Sequence, residues 1–267
     1  MKDFYDKFYA AMGQSAVHHE FCEQAYGIDL GQHGFADRDQ LELLQHESQM
    51  GPADEVLDLG CGDGRIAEYL SDRTGAHVTG VDYIESAVRA ARRRTAAKSD
   101  RLSFAVADIN RLDLPAGAYD IILSIDTIYF SDDYAGTVRA MKAALRPGGR
   151  MAFLYSFGRE PWVPKEEFRA DRLPPNRTPL ADALQENRLA FRTWDLTTAD
   201  YRLALRRKQV LEDLKPRFDA EGLMFIHENR MGDALGVSRA IDEGLHARYL
   251  YVAQSVVPGR RGKRRRE

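Results

Sequence analysis

The sequence predicts an α/β fold, a doubly wound and mostly parallel sheet with helices on both faces. Three observations carry that expectation. Strand-like and helix-like segments alternate five times between residues 55 and 157. One unit of this alternation, residues 55–82 (EVLDLGCGDGRIAEYLSDRTGAHVTGVD), reads as strand, glycine loop, helix, strand and terminal acid. The segment 119–125, YDIILSI, is an apolar run of the kind found in strands covered on both faces.

In chain order, residues 1 to about 50 are helical in pattern. Phe4, Tyr5, Phe8, Tyr9 and Met12 recur at three- and four-residue intervals and give one aromatic face. Residues 26–34, YGIDLGQHG, are polar and punctuated by glycine, hence a loop. Two readings stand for Gln32 and His33: turn chemistry with an exposed histidine, or side chains facing a bound ligand. Asp37 is placed to cap the next helix, whose buried face takes Leu41, Leu43 and Leu44.

The unit at 55–82 follows. Val56 and Leu57 open a short strand that ends at Asp58, and Gly60, Gly62 and Gly64 stand at alternate positions. Such a loop lets main chain approach a ligand closely and aims helix N–H groups at it. Ile66, Tyr69 and Leu70 fall at helical spacing, and Val78, Gly80 and Val81 lead to Asp82. An acid at that strand end can accept from two ribose hydroxyls. A dinucleotide fold of the G-x-G-x-x-G type wants its third glycine where Arg65 stands, which argues against an NAD-dependent oxidoreductase.

Residues 87–97 are helical, with Arg92, Arg93 and Arg94 near the end, where cations suit the dipole. Residues 102–107 form a strand running into Asp108 and Ile109. After the strand at 119–125, residues 132–145 are a helix stopped by Pro147-Gly148-Gly149, and RMAFLYSF at 150–157 is the fifth strand. Five of the ten prolines (Pro161, Pro164, Pro174, Pro175 and Pro179) then predict a loop with little regular structure. Residues 189–196 are strand-like. Thr197 or Thr198 can cap a helix carrying Tyr201, Leu205, Leu211, Leu214 and Phe218, kinked at Pro216 and ended by Gly222. A shorter helix spans about 234–243, and residues 247–255 are a last strand.

At 267 residues the chain suffices for one large domain, or for a domain with a substantial insertion. No apolar run approaches bilayer length, and the start, MKDFYDKFYAAMGQ, lacks the apolar core of a signal peptide; a cytoplasmic protein is expected. Cys22 and Cys61 are too few and too isolated for a disulfide framework or a zinc site, so no metal is expected. The net charge of −3 conceals an asymmetry. Six cationic side chains from Arg260 to Arg266, set against Glu267, leave the rest of the chain at −8. A disordered, solvated tail over 257–267 is expected, and an acidic body offers no surface to a phosphate backbone.

D-L-G-C-G-D-G at 58–64, the acid at Asp82 and L-R-P-G-G at 145–149 resemble the motifs of class I S-adenosylmethionine (SAM) methyltransferases of the small-molecule type. The likeness covers roughly residues 50–157 closely and the final strand loosely. It implies a seven-stranded sheet with an antiparallel last strand and SAM lying across the carboxyl ends of the strands. It further implies an N-terminal helical lid over 1–50, a SAM-binding core over 51–157, a helical substrate cap over 158–244 that includes a sixth strand, and a final core strand over 245–256. By the same resemblance, Asp82 holds the ribose diol with Tyr83 beside it, and Gly60, Gly62 and Gly64 carry main chain past the methionine and ribose. Asp58 precedes them as a further cofactor contact, with strand-end capping as its plain alternative. Asp108 stands where the adenine amino group is held, with the Ile109 backbone adjacent. Asp126 stands near the methionine ammonium or the substrate, and Gln32 faces the same end.

Methyl transfer needs an in-line approach, and orientation alone supplies about 7–11 kcal/mol. A thiol, neutral amine or activated carbon needs no acid or base; a hydroxyl or ammonium gains from one. Tyr129, three residues past Asp126, and His33 are the catalytic candidates, with His227 a third. Packing of Tyr129 beside Phe130 and a solvated His227 are the plain alternatives. The expected protein methylates an N, O or C atom of a small molecule, has no membrane partner, and is a monomer or homodimer. Two alternatives are an enzyme that cyclises or cleaves SAM itself, and a nucleic-acid methyltransferase. Ser124-Ile125-Asp126-Thr127 departs from the [D/N/S]-P-P-[Y/F] pattern of adenine methylation and disfavours the latter.

Overall fold

The computed structural model describes residues 2–13, 15–159 and 162–255, with side chains from residue 6 onward. The basic tail expected over 257–267 and the side chains of Phe4 and Tyr5 lie outside the described residues.

The strands are β1 (Glu55–Leu59), β2 (His77–Asp82), β3 (Leu102–Val106), β4 (Tyr119–Ile125), β5 (Leu145–Gly158), β6 (Leu189–Asp195) and β7 (His246–Ser255). They form one sheet in the order β3-β2-β1-β4-β5-β7-β6, with β7 antiparallel to both its neighbours and the remaining pairs parallel. The order reverses between β1 and β4, where Leu59 pairs with Val81 on one side and Ser124 on the other. Gly60, Asp82 and Asp126 therefore emerge together at the carboxyl ends of the central strands, at the topological switch point of the sheet. The expected seven-stranded sheet with an antiparallel last strand is the observed one.

The helices are α1 (Lys2–Met12), α2 (Ala16–Tyr26), α3 (Arg38–Glu47), α4 (Arg65–Thr74), α5 (Glu85–Arg94), α6 (Tyr134–Ala144), α7 (Pro179–Glu186), α8 (Thr197–Ala220) and α9 (Met224–Asp242). One sheet face buries Val56, Val78, Ile121 and Leu154 under Leu41 and Leu44 of α3, Leu70 of α4 and Val88 of α5. The other buries Leu57, Ile122, Phe153 and Tyr251 under Val138 and Met141 of α6 and Leu180 and Leu184 of α7. A third core, off the sheet, joins α1 and α2 to α8 and α9 through Phe8, Phe21, Leu203, Leu211, Phe218 and Ile226. Asp37 caps α3 as expected, accepting from Gln40 N at 3.0 Å.

Three sequence expectations are corrected here. The proline-rich stretch ends in a helix: Thr178 Oγ1 accepts from Ala181 N at 3.1 Å and Pro179 opens α7, so the last proline is a start signal. Helix α9 begins at Met224, ten residues before the expected position near 234. Its buried stripe includes His227 and Arg230, so an apolar period could not mark it. Thr197 does not cap α8. It is the first helical residue, Asp195 Oδ1 accepts its N–H at 2.8 Å, and its hydroxyl accepts from Arg248 N at 3.1 Å.

The segment 158–244 is also divided between roles. β6 is an edge strand of the sheet, α7 packs on a sheet face, and only α8 and α9 stand apart, against α1 and α2.

Candidate active site

A cavity of about 460 Å³ opens where β1, β2, β3 and β4 end. Its wall includes the glycine loop, Asp82 and Tyr83 after β2, Asp108 and Ile109 after β3, and Asp126 and Tyr129 after β4. Residues 30–34 and Ala36, between α2 and α3, and Tyr9 of α1 form the roof. No described residue of 158–244 is part of this lining.

Asp82 is held by backbone. Gly62 N donates to its Oδ2 and Ile84 N to its Oδ1, each at 2.8 Å. Burial pushes its pKa up, while the amides of Ile84, Gly62 and Tyr83 oppose that shift by stabilising the anion. Two oxygens offer about four acceptor positions, so capacity remains for further donors from a ligand. Asp108 Oδ1 accepts from Asn110 N at 2.9 Å, which turns Ile109 and Asn110 along the wall.

Gly60 and Gly62 have φ of +81° and +56°, a region that L side chains rarely adopt. A Cβ at Gly60 would run into the Thr127 side chain, and one at Gly62 would stand 2.6 Å from the hydroxyl of Tyr9. Tyr9 and Thr127 are cavity residues that the sequence reading missed. Tyr9 belongs to the aromatic stripe of the expected N-terminal lid, where no single residue stood out for the site; Phe8 takes the core, fully buried, while its neighbour on the next helix position turns to the cavity.

Two of the expected contacts, Gly64 and Asp58, lie outside the lining. Gly64 is absent from the lining: it caps α4 at φ +77°, and a Cβ there would strike the ring of Phe104. Its smallness serves packing. Asp58 is also absent from the lining and is 2% exposed; burial first, and Asp82 second, push its pKa to about 7.

The roof is held from several sides. Tyr26 Oη donates to Gly34 O at 3.0 Å, and Phe35 N donates to Asp126 Oδ2 at 2.8 Å. Gln32 and His33 both line the cavity, yet the Gln32 amide is committed to its own loop. It accepts from Leu30 N at 3.0 Å and donates to Ile28 O at 3.1 Å, so the side chain shapes the turn of which the cavity wall is made. His33 is half-buried beside Phe8, ring centroids 4.6 Å apart. Burial, then Arg230 and Arg207, hold its pKa well below the usual histidine value, so the imidazole is neutral near pH 7.

Asp126 adopts φ +52°, an uncommon left-handed conformation for a non-glycine residue. Its carboxylate receives two N–H groups of the fully buried Arg248, at 2.5 and 3.1 Å. Arg248 also donates to Gln40 Oε1 at 2.8 Å and Ser156 Oγ at 2.9 Å. Tyr129 lines the cavity half-exposed, its ring 4.9 Å from that of Phe130. His227 is corrected: it is neither solvated nor at the cavity. Its Nε2 donates to Leu211 O at 3.0 Å and its ring lies against Phe218 between α8 and α9.

The switch-point cavity, its glycine loop and the acid closing β2 together define a Rossmann-like ligand-binding core. Residues 56–149 match a family model described as a methyltransferase domain. The chain is 32% identical over 156 residues to methyltransferase GfsG of Streptomyces halstedii, covering 56% of this chain and 55% of that protein. It is 30% identical over 138 residues to phosphoethanolamine N-methyltransferase 1 of Arabidopsis thaliana, covering 51% of this chain and 28% of that protein. The chain thus spans about half, or less, of the length of these relatives. In fold it is similar to Haemonchus contortus phosphoethanolamine N-methyltransferase 2, solved with phosphomonomethylethanolamine and S-adenosylhomocysteine. That likeness has a TM-score of 0.76 at 16% identity and covers 96% of this chain and 60% of that one.

Proposed function

We propose that the protein is a SAM-dependent methyltransferase acting on a nucleophilic N, O or C atom of a small molecule. One observation carries this reading: a glycine cradle that any Cβ would fill faces an acid whose carboxylate is fixed by backbone amides, in one cavity. These residues fit SAM. Asp82 accepts from a ribose diol, a charge-assisted contact contributing about 1.5–3 kcal/mol. Gly60 and Gly62 let main chain lie beside the nucleoside and methionine. Asp108 and Ile109 flank the adenine position. Asp63 is paired with Arg65 and Asp126 with Arg248, so it is the carboxylates of Asp82 and Asp108 on the cavity wall that suit a ligand bearing a sulfonium and an ammonium.

When bound, SAM supplies an electrophilic methyl group. The chain's part is to orient the acceptor, exclude water and, for a protonated acceptor, receive a proton. The roof over 30–36 serves the first two ends. Tyr129 and His33 are the proposed groups nearest the acceptor. The weakened basicity of His33 suits a neutral partner that accepts or donates a hydrogen bond more than one that holds a proton.

The test is incubation with SAM and a panel of amines, amino acids and phenols while S-adenosylhomocysteine is followed. Release that depends on one acceptor is expected. Methylthioadenosine as the product would instead identify an enzyme that consumes SAM itself, and no turnover with any acceptor class would count against the proposal.

A further inference from the structure

Helices α8 and α9 give the cavity no side chain, yet α9 holds its roof through one residue. Arg230 is fully buried. Its Nη1 donates to His33 O at 2.5 Å and its Nη2 to Gln32 O at 2.7 Å, with Met12 Sδ 3.4 Å from the same Nη2. The guanidinium lies over the ring of Phe8, 4.7 Å from its centroid. Its charge is thus met by two carbonyl dipoles, a thioether and an aromatic face. Next to it Arg207 of α8, also fully buried, stacks on Phe35 at 3.9 Å.

We infer that Arg230 is a positioning residue: it clamps the Gln32-His33 peptide from behind and so sets the roof that covers the bound nucleoside. This rests on the reading of the cavity as the SAM site. The roof has no regular secondary structure, so its carbonyls need partners from elsewhere. Two successive carbonyls converge on one planar fork. A guanidinium can meet both at once, whereas an ammonium on a flexible stem presents a single point. The same peptides that Arg230 holds on one side line the cavity on the other, because Gln32 and His33 are both wall residues. Burying a cation against dipoles and rings is costly, and that cost is offset only while the roof is in place. The clamp and the closed roof are therefore one cooperative unit, linking the helix pair to ligand residence.

The test compares the full chain with Arg230→Lys, which keeps the charge and loses the fork, and with Arg230→Met. Amide exchange over residues 30–35 is expected to be at least tenfold faster in both variants, with β1 to β5 unchanged. The amides of Leu30, Gly31 and Phe35 are the reporters, since each donates to a side chain in or beneath the roof. Dissociation of S-adenosylhomocysteine, read by stopped-flow fluorescence, is expected to be at least tenfold faster. Unchanged roof exchange overturns the inference. So does faster exchange spread through the sheet, which marks a merely structural arginine, or a dissociation rate within twofold of the original. A wild-type chain that fails to retain S-adenosylhomocysteine defeats the proposed function instead, and the exchange measurement alone then decides the clamp.

Discussion

Arg248 closes on both oxygens of Asp126, Nη1 to Oδ1 at 2.5 Å and Nη2 to Oδ2 at 3.1 Å, and this buried pair joins the last strand to the cavity wall. Burial works against the charge of Arg248, but Asp126 and Asp200 outweigh it and raise its pKa. Since Oδ2 also accepts from Phe35 N, one carboxylate anchors strand and roof together. The role of Asp126 is thus first to organise the site, whatever part of a ligand it also meets.

Arg248→Met leaves Asp126 buried without its counter-charge, and losing one partner of a buried pair costs about 3–5 kcal/mol. Urea denaturation is expected to show a loss of that size. The double variant with Asp126→Asn should recover part of it, because the orphaned charge is gone. A single variant within about 1 kcal/mol of the parent would mean the pair is not the anchor described.

Asp82→Ala removes the acceptor placed for a ribose diol. Calorimetric titration with S-adenosylhomocysteine is expected to show at least a tenfold loss of affinity, about 1.4 kcal/mol or more, with the far-ultraviolet circular dichroism unchanged. Unaltered affinity would remove Asp82 from the nucleoside contact and return it to its local task of holding Gly62 N and Ile84 N.

Gly62→Ala meets two obstacles: the left-handed backbone at φ +56°, costing about 1–2 kcal/mol for a non-glycine residue, and the Tyr9 hydroxyl 2.6 Å from the new Cβ. Lower thermal stability and weaker nucleoside binding are expected together. Adding Tyr9→Phe should restore some stability and leave the backbone penalty. No recovery at all would assign the whole cost to the backbone.

The sheet was legible because it is built from short apolar runs bounded by turns, and YDIILSI at 119–125 coincides with β4. The glycine loop was legible because its spacing is a steric requirement. The roof anchors were not. Arg230 and Arg248 are arginines whose burial is set by partners 197 and 122 residues away, and no local pattern announces a charge meant for the interior. Gly64 misled because its spacing matches the ligand-facing glycines while its function, room for Phe104, depends on β3. Helix α9 was half-seen for the same reason: two members of its buried stripe are polar.

Asp58 supplies the pH-dependent prediction. Burial pushes its pKa in the folded chain up to about 7, above the ordinary carboxylate value of 3.8, and Asp82 adds repulsion. Between those two values the folded state holds a proton that the unfolded state has lost, so stability falls as pH rises. The contribution is fully present below the unfolded pKa and is lost as pH passes through about 7. A shift of this size corresponds to a penalty on the order of a few kcal/mol at alkaline pH. Asp58→Asn keeps the shape and removes the titration. Its thermal midpoint relative to the parent should therefore climb between pH 4 and pH 8, while other groups cancel in the difference. A gap that stays level across that range would show that Asp58 ionises without penalty. The strand end beneath the glycine loop would then be better solvated, or better supplied with donors, than its 2% exposure indicates.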